Sequence, residues 1–216
     1  MTFGFEVREI MATINKVEQL TENRFVNLFH VEGENKKGHH SNYYVASRSR
    51  TKAELMITTG KNVADGVSIY ALCGEKKDKV VLVRQYRYPI NTYIYEFPAG
   101  LCEKGEDYKE AAVRELREET GLSLHPIEVD PMYELPRFSS VGMTDESVAM
   151  VFGYADGEIT DKYQEMSEEI QVVIADRNEV KRILKEEHVA ILAAYQLQHF
   201  LHDEDPFAFL KGQEQR

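Results

Sequence analysis

Three glycines bracket one strongly charged segment near the middle of this chain, and that bracket dictates what the segment can fold into. Gly100 and Gly105 precede it and Gly121 follows it. Between them Ala111, Ala112, Val113 and Leu116 recur at helical spacing, so the pattern predicts a helix over residues 105–120. Gly121 reads as its C-cap. Within the helix Glu115, Glu118 and Glu119 fall at i, i+3 and i+4, which crowds three carboxylates onto one face. Like charges at that spacing repel, so they need a cation or open water. Arg114 stands four residues before Glu118 and can pair with it, and Glu106 suits the positive end of the helix dipole.

Around this helix the chain reads as alternating strands and helices. Val67–Leu72 and Lys79–Arg87 are β-rich runs separated by the turn Gly74-Glu75-Lys76-Lys77-Asp78. Tyr93–Phe97 is a short strand stopped by Pro98. Further strands are expected at Met132–Leu135, Ser147–Tyr154 and Glu169–Ile174, and helices at Asp176–Glu187 and Val189–His202. That mixture points to a layered α/β domain. Before residue 60, Phe25–Val31 and Asn42–Arg48 flank a turn at Glu34–Gly38 and read as a small antiparallel sheet. The expected division is residues 1–60 as a β subdomain, 61–205 as the main domain and 206–216 as a tail. An isolated small sheet is marginal in water, so this piece is expected to lean on the main domain or on a second copy, which makes a homodimer the expected assembly.

Charge and apolar runs exclude several classes. Among 216 residues, 26 Lys+Arg against 37 Asp+Glu leave a net charge of −11, which opposes bulk attraction to nucleic acid or an anionic membrane. The longest apolar run, Val189–Tyr195, is far shorter than the roughly 18 residues a membrane span needs. The N-terminus has no basic stretch leading into an apolar one, and two cysteines make no disulfide framework, so a cytoplasmic setting is expected. An acidic chain handles an anionic substrate by recruiting cations. Clustered carboxylate oxygens suit Mg²⁺, with Mn²⁺ as its substitute, and such ions bridge phosphate oxygens.

A solvated charged face is the plain alternative for three helical glutamates. The surrounding fixed positions argue otherwise. Residues 100–122 fit G-x5-E-x7-R-E-U-x-E-E-x-G-U, where U is aliphatic, at every fixed position. This segment resembles the Nudix box, the signature of Nudix hydrolases. Val81–Pro89, containing Gln85-Tyr86-Arg87, and Glu96-Phe97-Pro98-Ala99-Gly100 resemble the ADP-ribose pyrophosphatase branch, as do Asn42–Arg48 and Pro136. The resemblance spans roughly residues 25–200 and implies a Nudix-type α/β/α sandwich with a mixed sheet, beside the small N-terminal antiparallel β subdomain.

Carried over position by position, the resemblance implies that the Ala99 carbonyl, Glu115 and Glu119 hold divalent metal, with Glu118 in support. Gly100, Glu106, Arg114 and Gly121 maintain the motif. Arg87 contacts a phosphate or a neighbouring carboxylate. Tyr43 stacks on the base, contributed by the partner of a swapped dimer, with Arg48 assisting. The catalytic carboxylate comes from the loop Lys162–Glu169, with Glu168 the first choice for base or further metal ligand and Glu165 and Glu169 next. The chain lacks tryptophan, and Arg137–Glu146 lacks the second Pro-Gly turn common in relatives; both departures bear on substrate identity. Cys102, inside the box loop, reads as filler, since no base is matched to it. The implied reaction is Mg²⁺-dependent hydrolysis of a nucleoside diphosphate joined to a second moiety, with ADP-ribose giving AMP and ribose 5-phosphate. The alternatives are a GDP-mannose or UDP-sugar pyrophosphatase and a non-catalytic ADP-ribose sensor.

Overall fold

A computed structural model of the chain describes residues 12–166 and 169–210. The chain divides into two compact units. One comprises the described residues through Val63 together with Phe138–Ser147, and the other comprises Ala64–Arg137 and the described residues from Val148 onward. In the first unit β1 (Thr13–Gln19), β2 (Asn27–Glu34) and β3 (His40–Ser47) form an antiparallel sheet in that order. The Asn35 side chain closes the β2–β3 turn by accepting from the Lys37 and His39 N–H groups at 2.8 and 3.1 Å. A short helix, α1 (Met56–Thr59), follows.

The remaining elements are β4 (Gly66–Cys73), β5 (Lys79–Arg87), β6 (Thr92–Glu96), β7 (Ala99–Leu101), α2 (Tyr108–Thr120), β8 (Ser123–Pro126), α3 (Pro131–Glu134), β9 (Arg137–Phe138), β10 (Ser147–Asp156), β11 (Ile170–Ala175), α4 (Arg177–Glu186) and α5 (Ile191–His202). Their sheet runs β11-β5-β4-β10-β8, with β6 on β5, β7 on β4 and β9 on β10. β4 and β10 are parallel, whereas β5 is antiparallel to β4, β6 and β11, so the sheet is mixed.

Every residue of β4 is buried, and its side chains alternate between two cores. Val67, Ile69 and Ala71 pack with Val81, Val151 and the α2 residues Ala111, Ala112 and Leu116. Tyr70 and Leu72 point the other way, among Leu82, Phe152 and residues of α4 and α5 such as Ile183, Leu197 and Phe200. Helix, sheet and helices thus form the α/β/α sandwich. No helix among the described residues is long and apolar enough to cross a membrane.

Several details differ from the sequence reading. α2 starts at Tyr108 rather than Gly105, because the Asp107 carboxylate caps it by accepting the Lys109 N–H at 2.9 Å. Val113, expected among its apolar positions, is 40% exposed. Met132–Leu135 is the helical turn α3 instead of a strand, capped by Asp130 with Pro131 at its first position. Phe207 and Leu210, in the stretch expected as tail, are packed in the core beside α5.

Candidate active site

The site is assembled where β7 meets α2. Pro98 ends the strand before it, and its carbonyl accepts the Ile69 N–H at 2.9 Å. β7 then pairs with β4, Ala99 opposite Ser68 and Gly100 opposite Val67. This fixes the Ala99–Gly100 backbone against the second half of α2. The Ala99 N–H donates to Glu119 Oε2 at 3.1 Å, and Glu119 is only 3% exposed. Gly100 lies against the Glu115 carboxyl so closely that a Cβ there would sit 1.9 Å from Glu115 Cδ. Only glycine leaves room for that carboxylate. Ala99, Gly100, Glu115 and Glu119 therefore converge from two elements.

Arg114 organises the remaining acids. Its Nε and Nη2 donate to the two Glu106 oxygens at 2.9 Å each, and its Nη1 donates to Glu115 at 2.7 Å and Glu118 at 3.0 Å. Nη2 also donates to the Leu101 carbonyl at 3.0 Å. All five donors of the fork are engaged, an arrangement lysine cannot reproduce. Hydrogen bonds from Arg114, followed by one from the Glu103 N–H, pull the Glu106 carboxyl down to about 2. Those same carboxylates, Glu106 foremost, hold the Arg114 guanidinium above its ordinary range. The sequence reading put Glu106 at the helix dipole; the structure gives it a guanidinium partner and a loop N–H as well, at 2.8 Å from Glu103.

Four carboxylates against one guanidinium leave the site strongly negative, with hard oxygen donors throughout. That donor set, with the Ala99 carbonyl beside it, fits Mg²⁺ or Mn²⁺. Among the described residues no three His, Cys, Asp or Glu side chains are already gathered at coordinating geometry, Arg114 being interposed between Glu106, Glu115 and Glu118. Cys102, nearby, has its thiol pushed up to about 11, by burial first and the Glu106 charge second. A thiol raised in this way disfavours the nucleophilic thiolate.

The other expected residues are distributed as follows. Arg87, at the end of β5, donates through Nε to Glu96 at 2.8 Å. It shares a cleft of about 650 Å³ with Tyr86, Tyr88, Met166 and Glu169. The Glu169 carboxylate accepts the Tyr93 hydroxyl. Glu165 lies exposed in the loop before β11. Glu168 lies outside the described residues. Tyr43 and Arg48 belong to the first unit, where the Tyr43 hydroxyl donates to the Gly142 carbonyl at 2.7 Å and Arg48 Nε to Glu146 at 2.7 Å. Gly121 caps α2 at φ 81°, a left-handed conformation that glycine takes readily. A second cleft, of about 720 Å³, runs along the outer side of α2 and is lined by Arg114, Glu118, Arg117 and Tyr163 among others. Arg117 and Tyr163 carry no joint signal in the sequence, since only folding brings the Arg117 guanidinium 5.1 Å from the Tyr163 ring centre.

The family profile described as NUDIX domain matches residues 63–196, more than half of the chain. The chain belongs to the Nudix family. α2 with the preceding loop is its Nudix box. The chain is 37% identical over 131 residues to a Caenorhabditis elegans nudix hydrolase, covering 60% of this chain and 55% of that protein. It is 40% identical over 87 residues to a mouse ADP-sugar pyrophosphatase, covering 39% and 40%. A Saccharomyces cerevisiae ADP-ribose pyrophosphatase is 35% identical over 97 residues, covering 44% and 40%. The matched stretch thus spans about half or less of each relative. Among solved structures, an ADP compounds hydrolase superposes with a TM-score of 0.58 at 19% identity, covering 82% of this chain and 84% of that one, which shows a shared fold.

Proposed function

We propose that this Nudix chain hydrolyses the pyrophosphate bond of a nucleoside diphosphate joined to a second moiety, with ADP-ribose, giving AMP and ribose 5-phosphate, the foremost substrate. The observation that carries this reading is the convergence of Ala99, Glu115 and Glu119 around Gly100, where no Cβ has room. Matched relatives named ADP-ribose and ADP-sugar pyrophosphatases support the substrate class.

In this reading the Ala99 carbonyl, Glu115 and Glu119 hold Mg²⁺ or Mn²⁺, with Glu118 in support. Such an ion, when bound, neutralises phosphate charge and acidifies a water. The chain's own work is positioning. Arg114 keeps Glu115 and Glu118 apart at fixed spacing. Arg87, steadied by Glu96, faces a phosphate. A loop carboxylate, Glu168 first and Glu165 or Glu169 next, accepts the proton of the attacking water; the Glu169 carboxylate also accepts the Tyr93 hydroxyl. Association of two chains through the first unit belongs to the same reading. It is supported by exposed Phe25, Tyr43 and Tyr44, and it lets Tyr43 stack on a base with Arg48 beside it.

The test is a substrate panel at fixed Mg²⁺. ADP-ribose is expected to be cleaved at least about tenfold faster than GDP-mannose or UDP-glucose, a barrier difference of about 1.4 kcal/mol. Faster cleavage of a hexose nucleotide would shift the assignment to a nucleotide-sugar pyrophosphatase. Saturable ADP-ribose binding without AMP release would make the chain a sensor. Glu119→Gln should lower turnover by about two orders of magnitude or more while leaving the circular dichroism unchanged, and near-normal activity removes Glu119 from the metal site.

A further inference from the structure

Between β10 and β11 the chain folds back onto the end of α2. The Thr160 N–H donates to the Thr120 carbonyl at 3.0 Å. A Cβ on Gly121 would meet Thr160 Cγ2 at 2.5 Å and its backbone nitrogen at 2.8 Å, so only glycine admits this approach. Four residues further on, the Gln164 side-chain amide donates to the Glu119 carbonyl at 2.7 Å and reaches the Ile170 carbonyl at 3.4 Å. Helix carbonyls in the last turn lack intrahelical partners. The Thr160 N–H and the Gln164 amide therefore satisfy two of them, Thr120 and Glu119. Ile170 is the first residue of β11, so one NH₂ group with two donors joins the helix end to the strand start.

We infer that Gln164 is a positioning residue that ties the loop carrying Glu165 to the helical turn carrying Glu119. Gln164 directly precedes Glu165, so holding one places the Cα of the other within about 3.8 Å. The far end of the same loop is held too. The Glu169 carboxylate accepts the Tyr93 hydroxyl, and the Glu169 carbonyl accepts the Tyr86 N–H at 3.4 Å. The hydrogen bond to Glu169 also raises the Tyr93 hydroxyl above its ordinary range. Glu169 is thus an anchor on β5 and β6. This inference rests on the hydrolase reading: a metal ligand and a proton acceptor must keep a fixed separation, and a shift of about an ångström costs on the order of a hundredfold in rate.

Two variants test it. Q164M keeps length and bulk but removes both donors. Q164N keeps the amide on a side chain one methylene shorter, too short to span both carbonyls. Q164M is expected to lower kcat for ADP-ribose about ten- to a hundredfold with KM within about twofold, and Q164N to fall between it and the wild type. Without substrate, trypsin should cut after Lys162 about fivefold faster in Q164M, because the tether to α2 is gone. An unchanged kcat or an unchanged tryptic rate in Q164M overturns the inference, as does a loss carried wholly by KM. Should Q164M fail to fold, Q164N carries the same readouts. A wild-type protein that cleaves no nucleoside diphosphate overturns the hydrolase reading alone, since the tryptic comparison still measures the tether.

Discussion

At Gly100 the difference between a hydrogen and a methyl group decides where a carboxylate can lie. Its backbone is not in the left-handed region, so alanine meets no torsional penalty there. The nearest obstacle is the Glu115 carboxyl. Gly100→Ala should therefore fold but displace Glu115, lowering kcat/KM about a hundredfold and weakening Mn²⁺ binding in a calorimetric titration. Wild-type Mn²⁺ affinity in that variant would show that Glu115 is no ligand. The shared face of Glu115, Glu118 and Glu119 and the Arg114–Glu118 pair are legible in the sequence because helical periodicity turns spacing into proximity, whereas Gly100, on β7, is marked by the fixed positions of the box. Gln164 is not legible, since its two partners lie 45 and 6 residues away along the chain and meet only after folding. The pairing of Tyr93 with Glu169 is illegible for the same reason, the two lying 76 residues apart.

Helix α2 combines weak local preferences with a well-made cap. Asp107→Ala removes the acceptor of the Lys109 N–H. It should cost about 1 kcal/mol, visible as a fall of about 2–4 °C in Tm. No change in Tm would mean that packing of Ala112 and Leu116 against the sheet fixes the first turn unaided. Long strands such as β5 were readable end to end, Lys79–Arg87 in sequence and structure alike. Short elements were not. β7 has three residues and is defined by its pairing with β4, which no local pattern announces. α3 is a helical turn where the apolar Met132, Tyr133 and Leu135 suggest a strand. Asp130 followed by Pro131 is the helix-start signature that should have outweighed them.

Across the whole molecule, the Glu106–Arg114 pair is one contributor to acid stability, and its contribution has a direction. An unfolded glutamate titrates near about 4.3, whereas folded Glu106 is held down to about 2, by Arg114 first. Stabilisation from a lowered carboxyl pKa is complete above the unfolded value and is lost as pH falls toward the folded one. The urea midpoint of the wild type should thus decline between about pH 4.3 and about pH 2 more steeply than that of Glu106→Gln. Parallel declines would show that the pair contributes nothing to this pH dependence. Finally, β4 lies against β10 with Gly66 opposite Val148, a pairing between distant parts of the chain. Such contacts form slowly. During synthesis the ribosome releases β4, β5 and the whole glutamate-bearing helix before β10 exists. Until then one flank of this wholly buried strand stays bare, and a stalled nascent chain would offer that flank to chaperones.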